Sequence, residues 1–200
     1  MKKILIAALA LFVSVAASAE GFGIIGGFTN SQIKLKDTNF KNSAGVHAGF
    51  AYNLPLGAGF AFQPELIYNV KGYNWQGDTD ASGLKESAKK FGYVELPLQL
   101  QWGLDLVMLR PYGFVEPFVG YAVTGKNVLT KGETTINWDN MKSRLEYGLG
   151  VGAGLEVYNR IQLSFKYYWN FEGATQWSEV TDKIKGRGFT GLVFTAGIFF

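Results

Sequence analysis

The sequence predicts an all-β protein, an eight-stranded antiparallel up-and-down transmembrane β-barrel. Three observations carry this reading. Long segments alternate apolar and polar residues with a period of two, as an extended strand does when its two faces meet different surroundings. The connections between them alternate between short turns and long polar loops. The apolar faces carry no Asp, Glu, Lys or Arg, which fits a wall in lipid, where a cation at mid-depth costs roughly 2–4 kcal/mol.

Composition narrows the field in the same direction. The 200 residues include 26 Gly, 16 Phe, 10 Tyr and 5 Trp, with 48% hydrophobic and 18% charged residues. Such a chain is neither disordered nor built like a helical enzyme. With no Cys and a single His, disulfides, thiolate nucleophiles, iron–sulfur clusters and Cys-based zinc sites are excluded, and no cofactor is expected. The formal charge of +3 gives no reason to expect nucleic acid as a partner.

Taken in order, residues 1–19 read as a secretory signal peptide. Lys2 and Lys3 precede an apolar run over residues 4–13, and Ala17-Ser18-Ala19 supplies a small-residue cleavage site. The run is too short for a spanning helix, which needs about 20 apolar residues. Residues 20–200 then form the barrel domain. A first strand lies near residues 22–28, its facing left open, and strands in one register follow at residues 44–54, 60–70, 94–102 and 115–123.

Residues 144–157 alternate most clearly. Leu145, Tyr147, Leu149, Val151, Ala153, Leu155 and Val157 oppose Arg144, Glu146, Gly148, Gly150, Gly152, Gly154 and Glu156. In residues 161–172 an aromatic face with Phe165, Tyr167, Trp169 and Phe171 opposes Gln162, Ser164, Lys166, Tyr168, Asn170 and Glu172, and residues 190–200 complete the set. Short connections near residues 55–57, 103–111 and 159 alternate with long ones at 29–42, 73–89, 125–143 and 173–187. An eight-stranded up-and-down barrel with both termini on one side requires that pattern.

Size decides which face is inside, because an eight-stranded barrel has an interior only just wide enough for side chains. The bulky Phe60, Phe62, Phe165, Tyr167, Trp169 and Phe171 share the apolar face, whereas the glycines of 148–154 sit on the polar one. Glycines suit a crowded lumen and would only weaken a solvated strand. The apolar face therefore meets lipid. Tyr52, Phe60, Trp102 and Phe200 fall at the short-turn end and Tyr121, Tyr147, Trp169 and Phe171 at the long-loop end, as interfacial girdles do. Pro64, Pro97 and Pro117 lie inside strands of a barrel without edges, and local bulges are the expected remedy.

The segments Tyr93-Val94-Glu95-Leu96-Pro97-Leu98-Gln99-Leu100 and Arg110-Pro111-Tyr112-Gly113-Phe114-Val115-Glu116-Pro117-Phe118-Val119-Gly120-Tyr121, with the signal peptide and the terminal Phe200, resemble the PorT-like outer-membrane β-barrel family of Bacteroidota. The resemblance spans essentially the whole mature chain. It implies an outer-membrane location reached through the periplasm, and insertion by the barrel assembly machinery, which recognises an aromatic-ended last strand. Ile198 and Phe200 match that signal, while Thr195 stands where a Gly is common. The family's motifs are structural and imply no catalytic residue; one branch serves protein secretion.

On the lumen parity lie Glu65, Glu95, Glu116, Glu146, Glu156 and Glu172, against Lys71, Arg144 and Lys166. Confined charges of this kind must be paired, hydrogen-bonded or neutralised. A salt-bridged plug is the leading expectation, ahead of a narrow channel or secretion-linked accessory barrel. Glu65, Glu95, Glu116 and Lys166 are expected at similar mid-barrel height. His47 faces the lumen near the long-loop rim, with Ser43 and Asp37 as the nearest candidates for an enzyme's partner groups; catalysis and metal binding rank last. In the loops, Trp75, Trp138 and Trp177, with Lys34, Lys36, Lys183, Lys185 and Arg187, are binding candidates for lipopolysaccharide phosphates, a glycan or an envelope or extracellular protein. Gly21-Phe22-Gly23-Ile24-Ile25-Gly26 matches a dinucleotide fingerprint only formally, since no helix start follows it.

Overall fold

A strand with one apolar and one ionic face can satisfy every backbone group in lipid only if its sheet closes on itself. The computed structural model, which describes residues 21–33, 40–75, 87–129, 132–135, 144–172 and 189–200, shows that closure. Its strands are β1 (Phe22–Ile33), β2 (Phe40–Tyr52), β3 (Leu54–Gly57), β4 (Phe60–Trp75), β5 (Ser87–Gly103), β6 (Leu109–Leu129), β7 (Gly132–Thr135), β8 (Leu145–Val157), β9 (Ile161–Glu172) and β10 (Phe189–Phe199). Neighbours run β2-β1-β10-β9-β8-β6-β5-β4, and β2 pairs with β4 to close the ring. β3 continues the line of β2 beyond Asn53, and β7 folds back on the far end of β6, leaving eight staves, all antiparallel. No helix of the described residues is long and apolar enough to cross a membrane.

The outer wall is apolar and the lumen polar. Phe28, Phe165 and Trp169 lie on the exterior, 69%, 52% and 40% exposed, whereas Glu146 is wholly buried. In β1, whose facing the sequence left open, Ile25, Thr29 and Ser31 point inward and Ile24 and Phe28 outward. Several strands outrun their apolar patterns. β4 and β5 stay paired to Trp75↔Ser87, and β5 and β6 to Ser87↔Leu129. The polar segments 73–75, 87–89 and 125–129, expected as loop, are thus strand, because a hydrogen-bonded ladder needs only backbone once its register is set.

The prolines are accommodated without bulges, which corrects the expectation above. Around Pro97 the β4–β5 ladder lacks the rungs of Glu65 and Leu66 but resumes in the same register, from Pro64↔Leu98 to Ile67↔Glu95. Around Pro117 the β5–β6 ladder does the same between Leu100↔Val115 and Pro97↔Phe118. Beside Pro64 the line of β2 and β3 breaks between Ala51↔Glu65 and Leu54↔Phe62, again in one register. Each missing N–H costs a local gap in one ladder, and the rungs kept at that point on the strand's other side, Gln63↔Gln99, Pro97↔Phe118 and Pro117↔Leu149, hold the alignment. The register shifts lie elsewhere, at Asn42/His47, Gly92/Tyr93, Tyr147/Gly148 and Pro55/Gly57.

Candidate functional site

The ionic side chains gather in the lumen as two bonded clusters. In the first, Lys71 on β4 reaches across the barrel. Its Nζ lies 2.8 Å from Glu95 Oε1 on β5 and 2.9 Å from Glu146 Oε1 on β8. The same ammonium sits over the rings of Phe118 and Tyr168, each 4.7 Å to centroid, with Tyr93 at 5.5 Å. Two carboxylates and three aromatic faces thus enclose one cation, and both interactions strengthen when water is excluded. Asn170 donates to the other oxygen of Glu146 at 2.6 Å.

His47 extends this cluster along a chain whose hydrogen-bond directions are fixed from one end. The ion-paired Glu95 needs a donor, so the Asn69 amide turns its NH2 to Glu95 Oε2 (3.2 Å) and its oxygen to Thr29. The Thr29 hydroxyl spends its only proton on that oxygen (2.9 Å), so it accepts from His47 Nδ1–H (3.2 Å). His47 Nε2 is left to accept from Thr195 at 3.0 Å. The imidazole is 5% exposed and belongs to the barrel interior, not to the long-loop rim, because β2 runs on outward to Phe40. Ser43 enters the structure through its carbonyl, which accepts from Ser31, and Asp37 lies outside the described residues. Among the described residues, no group of three or more His, Asp and Glu is placed to hold a metal ion.

The second cluster lies closer to the short-turn end, and an amide relay organises it. Arg110 Nη1 donates to Gln101 Oε1 (3.1 Å), and Gln101 Nε2 donates on to the oxygens of Gln63 and Gln99 (both 3.1 Å). Those two amides then present their NH2 groups to Glu65 (2.9 and 2.8 Å), with Gln99 also bridging to Glu116 at 2.8 Å. Lys166 on β9 closes the far side through an ion pair with Glu116. The amide dipoles thus run in one direction, from the Arg110 guanidinium through Gln101 to Gln63 and Gln99, whose positive ends meet the carboxylates. Glu156 is held by Gln162 (2.9 Å) and by Arg110 (3.5 Å).

Replacing Lys166 with Ala strands Glu116 in the lumen, an error of about 3–5 kcal/mol for a buried pair broken on one side. Urea unfolding of the refolded barrel measures it, and a Lys166→Ala barrel as stable as the parent would contradict the pairing.

Arg144 stands half-buried just before β8. Glu172 ends β9, and Trp75 ends β4 opposite Ser87. Lys34, Lys36, Trp138, Trp177, Lys183, Lys185 and Arg187 lie outside the described residues. Sequence reasoning missed Arg110, because the connection assigned to residues 103–111 hid its inward parity; β6 starts at Leu109. It also passed over Gln63, Gln99 and Gln101, whose strand parity was the available signal.

An aromatic layer in the lumen was missed as well. On β6, Tyr112, Phe114 and Phe118 are buried directly opposite Gly154, Gly152 and Gly148 of β8. The glycine face exists to admit those rings.

The matching family model, described as outer membrane protein beta-barrel domain, covers residues 18–176. None of the curated proteins matches the chain. Among solved structures, Neisserial surface protein A is 12% identical with a TM-score of 0.50, covering 90% of this chain and 97% of that one. Ail of Yersinia pestis, solved with the heparin analogue sucrose octasulfate, is 16% identical with a TM-score of 0.43, covering 90% and 99%. OprG of Pseudomonas aeruginosa is 14% identical with a TM-score of 0.46, covering 91% and 96%. With a family match across most of its length and a closed eight-stranded wall facing lipid, the chain belongs to the outer membrane protein beta-barrel domain family.

Proposed function

We propose that this protein is a non-enzymatic scaffold of the bacterial outer membrane, closed by its own side chains and active through its long loops. The observation that carries the proposal is the tying of one wall to another by buried ions: Lys71 of β4 to Glu95 and Glu146 of β5 and β8, and Lys166 of β9 to Glu116 of β6. Such a lumen spends its charge on itself. A conduit for ions would instead leave some of that charge to the solute.

The same reading places the termini in the periplasm and the loops outside, with the signal peptide cleaved after Ala19 and the assembly machinery recognising the last strand, β10, with the terminal Phe200 that follows it. It keeps the PorT-like relationship on the strength of the proline-bearing segments of β5 and β6. Lys34, Lys36, Lys183, Lys185 and Arg187, with Trp75, Trp138 and Trp177, would meet lipopolysaccharide phosphates or an envelope partner.

Planar-bilayer recording tests the closed lumen. The refolded protein should give no steady openings, and stepwise conductance from the unaltered chain would overturn the plug in favour of a narrow channel. Reversing the charge of the five loop cations should weaken association with lipopolysaccharide-containing vesicles and leave plain phospholipid binding unchanged; equal binding by both forms would remove the loops from the proposal.

A further inference from the structure

The turn between β5 and β6 is apolar in a place where a connection bathed in water has no reason to be. Residues 104–109 read Leu-Asp-Leu-Val-Met-Leu. Leu104, Leu106, Val107, Met108 and Leu109 are all exposed, Val107 completely. The turn is nonetheless well tied. Leu104 N–H donates to Pro111 O (3.0 Å), Leu106 N–H to Leu109 O (3.0 Å), and Tyr158 N–H of the neighbouring turn to Met108 O (2.9 Å). The Tyr158 hydroxyl meets Met108 Sδ at 3.5 Å.

Parity gives the direction in which this turn presents its side chains. On β5 the outward residues are Leu96, Leu100 and Trp102, and Leu104 and Leu106 continue that series. On β6 they are Val119, Val115 and, at the strand's start, Leu109. Asp105, the one charged residue of the turn, has the opposite parity and is held by Arg110 Nε at 3.1 Å, the same Arg that caps the amide relay inside the barrel. The lipid-facing wall therefore does not stop at the Trp102 girdle. It runs on through the turn without a charge, while the only carboxylate is drawn back to the lumen mouth.

We infer that the β5–β6 turn is a wedge seated among the acyl chains of the leaflet at the short-turn end. Leu104, Leu106, Val107, Met108 and Leu109 bind phospholipid tails, and the membrane boundary on this side of the barrel lies beyond the turn. The continuity of the turn with the lipid-facing wall selects this occupant over a protein partner. The wedge gives the barrel an anchor at its short-turn end, as amphipathic elements do at an interface.

The chain has no native Cys, so Val107→Cys carries a single environment-sensitive fluorophore. The labelled barrel is refolded into phospholipid nanodiscs, which leave both faces open, with Asn42→Cys at the long-loop end as the aqueous reference. The Val107 probe should emit to the blue of the reference, lose most of its intensity to lipids bearing a nitroxide on the acyl chain, and be shielded from iodide. Iodide quenching equal to that of the Asn42 probe would overturn the wedge. Shielding from iodide without quenching by the nitroxide lipids would overturn it too, since a second copy or another protein surface would then be covering the turn. Met108→Cys, expected to behave like Val107→Cys, serves if the first variant fails the gel-shift test for folding.

Discussion

Lys71→Ala should destabilise the barrel by about 3–5 kcal/mol, the penalty for removing one partner of a buried ion pair. The ammonium is 2.8 Å from Glu95 and 2.9 Å from Glu146, and the side chain is 1% exposed. Its loss leaves two carboxylates facing each other in a space lined by Tyr93, Phe118 and Tyr168. The measurement is the urea midpoint of the refolded protein, read by tryptophan emission and by the gel shift between unheated and boiled samples. Combining Lys71→Met with Glu95→Gln and Glu146→Gln should recover most of the loss, because a neutral set of similar volume no longer contains an unpaired charge. A Lys71→Ala barrel as stable as the parent would mean that the carboxylates find other partners and that the cage carries little energy.

Gly152→Ala should be nearly as damaging, although it adds one methyl group. A Cβ at Gly152 would stand 2.4 Å from the carbonyl oxygen of Phe165 and 2.6 Å from the Phe114 ring, and at Gly148 2.2 Å from the carbonyl of Trp169 and 2.6 Å from the Phe118 ring. Both near neighbours are backbone of the adjoining strand, so the strain cannot be relieved by rotating a side chain. A cost of about 1–3 kcal/mol or more is expected from overpacking. Two other glycines give the contrast. At Gly150 the nearest atom is 3.6 Å away, and at outward-facing Gly113 it is 3.9 Å. Alanine there should be neutral or gain a few tenths of a kcal/mol from a less flexible unfolded chain. If all four alanine variants unfold alike, the rings of β6 are not what the glycine face accommodates.

These two predictions differ in how far the sequence alone supports them. That Lys71, Glu95 and Glu146 share the lumen follows from parity, since a strand of period two can only put them inside or outside together with their neighbours. That they meet does not follow. Lys71 is opposite Phe91 on β5, while Glu95 pairs with Ile67 and Glu146 lies across the lumen on β8. Strand tilt and stagger bring them together, and neither is written in the pattern of any one strand. The sequence grouped Glu65, Glu95, Glu116 and Lys166 at one height. The structure separates Glu95, bonded to Lys71, from Glu65 and Glu116, bonded through Gln99.

The glycines show a similar division. Their placement on the lumen side was legible, because small residues belong where the barrel is narrow. Their purpose was not, since it depends on Tyr112, Phe114 and Phe118 lying directly opposite them in the β6–β8 register. The prolines misled for a related reason. A missing N–H suggests a bulge when a strand is considered alone, but each strand here is held on two sides, and the gaps are staggered so that rungs on one side keep the alignment where the other side is interrupted.

By itself, then, the amino-acid order determined the number of staves, the two faces of seven of them and the solvent each face requires, because alternation and charge exclusion are local properties of a strand. Tertiary structure alone decided the facing of β1, where Ile24 and Ile25 on opposite parities give no preference, the inward turn of Arg110, the direction of the amide relay and the partner of every buried ion. Those depend on which residues the shear of the closed sheet brings to the same height, a distance between chain segments that no one-dimensional pattern contains.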